Sequence, residues 1–210
     1  MKKILFVTLQ LKKMSDDDRR IYPVNGNSLL EIKEPIYFAA TAAIVSTLKA
    51  EDEVKVVLVK TEGGENAGDE NAKLFQDELD HFNKAIGAKI EYKPISSPFD
   101  LSQTNFKHIF KDLLNELEHN AEIYADITFG PRTLPLLLFP VFQFAEKFFD
   151  NSISYIVYAK VEFDENKKII DGSEMIYDIT PLYLMNSFTN LIETSSSEHA
   201  IKAIEALFKD

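Results

Sequence analysis

Two stretches of this chain are apolar almost without interruption: Lys2 to Leu9 (KKILFVTL) and Glu53 to Thr61 (EVKVVLVKT). A strand with one wet face alternates apolar and polar residues, whereas one that is apolar throughout has both faces covered. That selects a sheet enclosed between helical layers, with parallel strands joined by helical crossovers. The intervening segments fit. A small-residue helix (IYFAATAAIVSTLKAED) follows Pro35, and Phe75, Leu79, Phe82 and Ile86 form one helical stripe. Phe106, Ile109, Phe110, Leu113, Leu114 and Leu117 form another, with a 3.6-residue period. Lys89 to Ile95 and Glu122 to Thr128 read as strands, and Pro131 to Phe149 as a helix. Two last strands, Ser152 to Phe163 and Glu174 to Thr180, flank a turn at Asp171-Gly172. The expected fold is α/β: a doubly wound, mostly parallel sheet with a C-terminal β-hairpin and terminal helices.

Thr180-Pro181 has the form of an N-cap with proline at the first helical position. Ser195 and Glu198 have capping-box spacing before a short helix carrying Ile201, Ile204 and Leu207. Asp-Ile-Thr occurs at Asp126 and again at Asp178, each time closing a strand before a proline-started helix, which reads as shared capping chemistry. Residues 10–34 form a connection far longer than the usual few residues, and their mixture of charges with Tyr22, Pro23, Asn25 and Gly26 suits a partly ordered lid. Gly63 to Glu70 (GGENAGDE) reads as flexible.

The formal net charge of −11 argues against sequence-independent binding of long nucleic acid, which draws on many cationic contacts to phosphates. It leaves room for a small anion held by backbone amides and one or two cations. The absence of cysteine removes disulfides, thiolate metal sites and thiol nucleophiles, and fits a cytoplasmic protein. The N-terminal run contains Thr8 and Gln10 and lacks a small-residue cleavage site, so it reads as a buried strand. The stretch LPLLLFPVFQFA is shorter than the ~20 apolar residues of a membrane span.

Ligands of open α/β sheets bind beyond the carboxyl ends of the strands. Those ends are Thr8-Leu9-Gln10, the residues from Thr61, and Thr128-Phe129-Gly130-Pro131-Arg132-Thr133. In the last, Gly130 allows close backbone approach and Pro131 suits a helix start. Free N–H groups of the helix then offer an anion seat, with Arg132 as a clamp and Thr128 and Thr133 as hydroxyl donors. The alternative is a structural Arg132 paired with Asp126 or Glu122. Nucleotide signatures of the P-loop and dinucleotide kinds are absent, as is a nucleophile elbow, and no cofactor is expected. His81, His108, His119 and His199 lie singly in helical patterns without metal-ligand spacing. The SDDDRR stretch reads as a solvated loop, with Arg19 and Arg20 placed to reach over a bound anion.

The Pro131–Phe149 helix is apolar nearly all round, which calls for burial on most faces. Pro140 should kink it. A helix on the outside of a sheet is covered by its own chain on one side, so the other side is expected to meet a second subunit, the alternative being cover by the hairpin and the two C-terminal helices.

The DITFGPRTLPLLL segment, after an N-terminal KKILFVTL strand and before MIYDITPLYLMNSF, resembles the CARF domain, the CRISPR-associated Rossmann-fold sensor. Family members often read Asp-Ile-Thr-[His/Gly]-Gly-x-Arg-x-x-Pro at this turn, and the chain offers Asp126, Ile127, Thr128, Gly130, Arg132 and Pro135. Phe129 stands where His or Gly is common. The likeness covers nearly the whole chain in element order and only these motifs in residue identity. It implies a Rossmann-like homodimeric sensor of cyclic oligoadenylate (tetra- or hexa-adenylate) that controls a type III CRISPR effector in antiviral defence. Thr8, Leu9, Gln10, Thr61 and Thr128 through Thr133 would border the ligand, and Arg19-Arg20 would close above. On this reading residues 1–193 are the sensor, and 194–210 are a C-terminal helix that either links to an effector domain not present or closes a stand-alone sensor. Two alternatives stay open: a ring nuclease that cleaves the same ligand, and an α/β protein binding a phosphorylated metabolite.

Overall fold

The computed structural model describes residues 1–62, 67–98, 102–166, 168–192 and 196–207. In chain order these form β1 (Lys2–Thr8), β2 (Val24–Asn25), α1 (Ala39–Val45), β3 (Glu53–Glu62), α2 (Gly68–Ile86), β4 (Lys89–Pro98), α3 (Gln103–Asn115), β5 (Ala121–Asp126), α4 (Leu134–Phe149), β6 (Ser152–Lys160), β7 (Met175–Asp178), α5 (Thr180–Leu191) and α6 (Ser197–Leu207). The sheet runs β2-β7-β6-β5-β1-β3-β4. All neighbours pair parallel except β6 with β7, so the α/β architecture and the C-terminal hairpin are as expected.

Both faces of the central strands are covered, which is why their sequences are apolar throughout. Leu5, Val7, Leu9, Val56, Leu58 and Tyr124 pack with Phe38 and Ile44 of the α1 segment and Phe75 and Leu79 of α2. On the other face Phe6 meets Phe142 of α4, ring centroids 5.6 Å apart. The strand order reverses between β1 and β5, and this is the crevice where open sheets of this kind place ligands.

The long 10–34 connection differs from a free lid. Asn71 of α2 pins its start: its Oδ1 accepts from Met14 N at 3.1 Å, and its Nδ2 donates to the carbonyls of Gln10 and Lys12 at 2.7 and 2.9 Å. Beyond it, Arg20 bridges Ile36, and Val24–Asn25 add a seventh strand beside β7. Tyr22 and Leu30 are buried with Ile36, Ala39, Val157 and Ile176. The segment is a strap fastened across the sheet. Asn71→Ala leaves one donor and two acceptors without partners, so a loss of about 2–3 kcal/mol is expected. Faster hydrogen exchange at the Met14 amide is the check; an unchanged rate would show that the pin is dispensable.

Other boundaries moved. α1 begins at Ala39 because Ile36 is engaged with Arg20 and the Tyr37 and Phe38 N–H groups are held by Glu78 of α2. α4 begins at Leu134, not Pro131, since Gly130 at φ +85° turns the chain and Leu134 N closes back on Pro131 O. It continues through Pro140 as one helix; Pro140 and Leu136, whose carbonyl loses its donor, are both exposed. Thr180 is the first residue of α5, and its hydroxyl accepts from Ile156 N instead of capping its own helix. Ser196 Oγ receives the His199 N–H of α6. Ser195, Gly63–Asn66 and Lys167 lie outside the described residues.

By compactness the chain divides into units Met1–Thr180 and Pro181–Asp210. Within the second unit Thr189 and Ile192 share an apolar groove with Ala200, Ile201 and Ile204 of α6. Among the described residues no helix is long and apolar enough to cross a membrane.

Candidate functional site

The crevice is organised by Asp126, the last residue of β5. It is fully buried, and no cation pairs with it among the described residues. Its Oδ1 accepts from both Thr128 N (2.9 Å) and Thr128 Oγ1, while Oδ2 accepts from Ala40 N at 2.8 Å. One carboxylate therefore shapes the loop after β5 and caps the first turn of α1. That cap is needed because Phe38, the N-cap residue of α1, has no side chain able to accept. Glu78 supports the same helix start through Tyr37 N, Phe38 N and Thr41 Oγ1, at 2.6, 3.3 and 2.6 Å. Burial raises the pKa of Asp126 more than its hydrogen bonds lower it, and the same holds for Glu78.

The second Asp-Ile-Thr repeats this chemistry. Asp178 accepts from Thr180 N at 3.0 Å, as Asp126 does from Thr128 N. The two threonine hydroxyls then accept from β6 on either side: Thr128 from Ala159 N, Thr180 from Ile156 N, each at 2.8 Å. The repeated tripeptide is a device that ties β5 and β7 to the strand between them.

These bonds decide what the crevice offers a ligand. Thr8 Oγ1 donates to Asp126 O (3.0 Å) and accepts from Phe129 N (3.2 Å), and Thr128 Oγ1 is likewise used in both directions. Both hydroxyls are spent inside the chain. Leu9 is core, and Gln10 is half-buried with its carbonyl on Asn71. Phe129 turns its ring toward Phe38, 6.1 Å away at 80°, so it extends the core instead of lining a polar pocket. Leu134 N is bonded to Pro131 O and Pro135 has no N–H, so two positions of α4's first turn are closed to an anion. Thr133 occupies the N-cap position without a side-chain cap bond.

Three predicted residues are brought together from separate strands. A side chain at Gly130 would touch Leu134 Cδ2, Thr61 Oγ1 and Thr8 Cβ, at 3.4, 3.8 and 3.8 Å. Two residues farther on, Arg132 is exposed and has no partner among the described residues. The structural pairing with Asp126 or Glu122 is not made: Asp126 is enclosed as above, and Glu122 lies by Lys3 and Tyr124. The other two arginines are tied to the strap: Arg19 Nε donates to Pro35 O at 2.9 Å, and Arg20 to Asp17 O at 2.6 Å.

The strap's acidic residues also serve local structure, Asp18 accepting from Ser15 N and Oγ. Among the described residues no group of three His, Asp or Glu side chains is placed to hold a metal ion. Sequence reasoning missed the organising roles of Asp126 and Glu78; the duplicated Asp-Ile-Thr was the available signal for the first, and nothing local marks the second. A scan against protein-family models and a search of curated proteins each found no match.

Proposed function

We propose that the chain is a receptor for a cyclic oligoadenylate, acting as a homodimer that relays ligand occupancy to a type III CRISPR effector. The observation that carries this reading is Arg132, an exposed guanidinium without a partner among the described residues, two positions after a positive-φ glycine at the sheet's switch point. A bidentate cation at such a place suits a phosphodiester. The resemblance of the Asp126–Pro135 stretch to the CARF turn narrows the ligand to a ring of adenylates.

The outer face of α4 supports a second copy. Its inner face buries Leu138, Val141, Phe142 and Ala145, while Leu136 and Phe148 are 72% and 54% exposed. An open apolar face of this kind marks an association surface. Leu136 stands one turn beyond Arg132, so pairing across it sets two guanidinia about one axis and forms a shared seat. Leu136→Asp is expected to yield a folded monomer by sedimentation and to lose ring binding by tenfold or more. A dimer that persists would place the interface elsewhere.

Titration calorimetry with cyclic tetra- and hexa-adenylate tests the reading, with one ring per two chains as the expected stoichiometry. Heats at background for both rings, from folded protein, would reject it. Occupancy shifts the dimer only as far as the ring prefers one of its arrangements. With −11 on each chain, long-range steering opposes a polyanion, so slow and salt-tolerant capture is the kinetic signature.

A further inference from the structure

A cleft of about 570 Å³ opens at the amino end of the sheet, at the far end of the strands from the Asp126 crevice. Its origin is the length of α1. Seven residues of helix rise about 10 Å, against about 20 Å for the six residues of β5 and about 30 Å for the nine of β6. The helix therefore runs out before the strands beneath it do. Asp126 caps its first turn, and just past its last turn Thr47 Oγ1 donates to the Tyr124 hydroxyl at 2.8 Å. Beyond that point Glu122, Ser154 and Tyr155 are only half-buried, and the cleft lies over them. A β-bulge shapes its floor. Ile123 pairs with Ile153 but Tyr124 with Tyr155, so Ser154 is an extra residue in β6. Neighbours in a regular strand point to opposite faces, whereas here Ser154 and Tyr155 both line the cleft.

The floor has spent its cations and kept acceptors. Lys3 is 3% exposed, and its ammonium donates to Thr47 O, to Thr47 Oγ1 at 3.2 Å and to Asp52 Oδ2 at 3.0 Å, which uses its three N–H bonds. Asp52 also takes the Met1 ammonium at 3.1 Å. The Tyr124 hydroxyl accepts from Thr47 and donates to Glu122 Oε2 at 2.9 Å. Among the described residues Glu122 Oε1 and the Tyr155 hydroxyl have no hydrogen-bond partner. An anion would set its charge against Glu122 with the buried cation already engaged. A ligand ammonium instead meets a carboxylate oxygen, a hydroxyl oxygen and the rings of Tyr124 and Tyr155, 6.0 Å apart and tilted by 58°. Lys49 and Glu51 stand exposed at the rim with opposite charges, and the net charge of −11 draws cations toward the chain. The volume is that of a small-molecule site. We propose that this cleft binds the primary ammonium group of a small organic amine, with Glu122 as its charged acceptor and Tyr155 as its second. The site shares no residue with the crevice and does not depend on what the crevice binds.

Putrescine, a primary diamine, is the probe, and choline, a cation without N–H groups on its nitrogen, is the control. Calorimetry on the wild type should show saturable putrescine binding, about tenfold or more tighter than choline, because only the primary amine can donate. Glu122→Gln keeps an acceptor for Tyr124 and removes the charge, so putrescine affinity should fall by about tenfold or more. Tyr155→Phe keeps the ring and removes a hydroxyl that bonds nothing in the described chain. Its melting temperature should match the wild type while putrescine affinity falls by about threefold, the loss of a neutral hydrogen bond. This variant also decides the matter should Glu122→Gln fail to fold. Heats at background with putrescine, choline bound as tightly, or an affinity that Glu122→Gln leaves unchanged would each overturn the site. An affinity unchanged in Tyr155→Phe would overturn the assignment of its hydroxyl.

Discussion

Arg132→Ala is expected to weaken binding of the cyclic oligoadenylate by ten- to a hundredfold while leaving the melting temperature within a degree of wild type. Both halves follow from its surroundings. The guanidinium is exposed and makes no bond inside the chain among the described residues, so its loss removes nothing from the fold. A charge-assisted hydrogen bond to a ligand contributes about 1.5–3 kcal/mol, and 1.4 kcal/mol corresponds to tenfold in affinity. Symmetry doubles the contact in a dimer, which places the effect toward the upper end. Arg132→Lys separates charge from geometry: a lysine keeps the charge but not the planar fork, so partial recovery is expected. Calorimetry and a thermal melt on the same preparations settle the matter. Unchanged affinity in the alanine variant would remove Arg132 from the site.

Asp126→Ala has the opposite signature, a loss of stability. The change strips Thr128 N, Thr128 Oγ1 and Ala40 N of their acceptor at once, and all three lie in or beside the core. At about 1–3 kcal/mol for each unsatisfied donor, and allowing for relaxation, the expected loss is about 3–5 kcal/mol. That is a large share of the 5–15 kcal/mol typical of a domain. Urea unfolding measures it, and a loss below about 1 kcal/mol would show that the loop and α1 hold their places without the carboxylate.

The same residue predicts a pH dependence. Burial raises its folded pKa above the ordinary carboxylate value, and Glu78 is raised for the same reason. Between the unfolded and folded values the native state holds the additional proton. The stabilising contribution is therefore complete below about pH 4 and is lost as pH rises through the folded values. Asp126→Asn should flatten this decline, at the cost of turning one amide N–H toward a donor. Unfolding midpoints compared at pH 4 and pH 8 give the difference.

The layered architecture was readable because its cause is local. Strands covered on both faces carry apolar residues at every position, and helices covered on one face repeat theirs every 3.6 residues, as the α2 and α3 segments do. Features that depend on a partner far along the chain were not readable. Val24 and Asn25 form a strand only because β7 lies beside them, and the 10–34 strap reads as a partly ordered lid until Asn71 is seen to bind its start. The beginning of α1 was misplaced because the groups that cap it, Glu78 and Asp126, arrive from a following helix and from β5.

At the crevice the division is the same. Sequence alone determined that a strand would run through Asp126 into a glycine-proline turn, that an arginine would follow, and that an apolar helix would leave it, because residue type and spacing decide each of these, whereas the strand's end at Asp126 and not Thr128 was set by the fold. Which hydroxyls remain available, and whether the arginine is paired, depended on strand order. Setting β5 beside β1 and β1 beside β3 brings Thr8 and Thr61 to the same side of Gly130, uses up the first hydroxyl, leaves the second without a partner among the described residues and leaves Arg132 facing solvent. Hydrogen bonds form only at contact distance, and contact between residues more than a hundred positions apart is a property of the folded sheet.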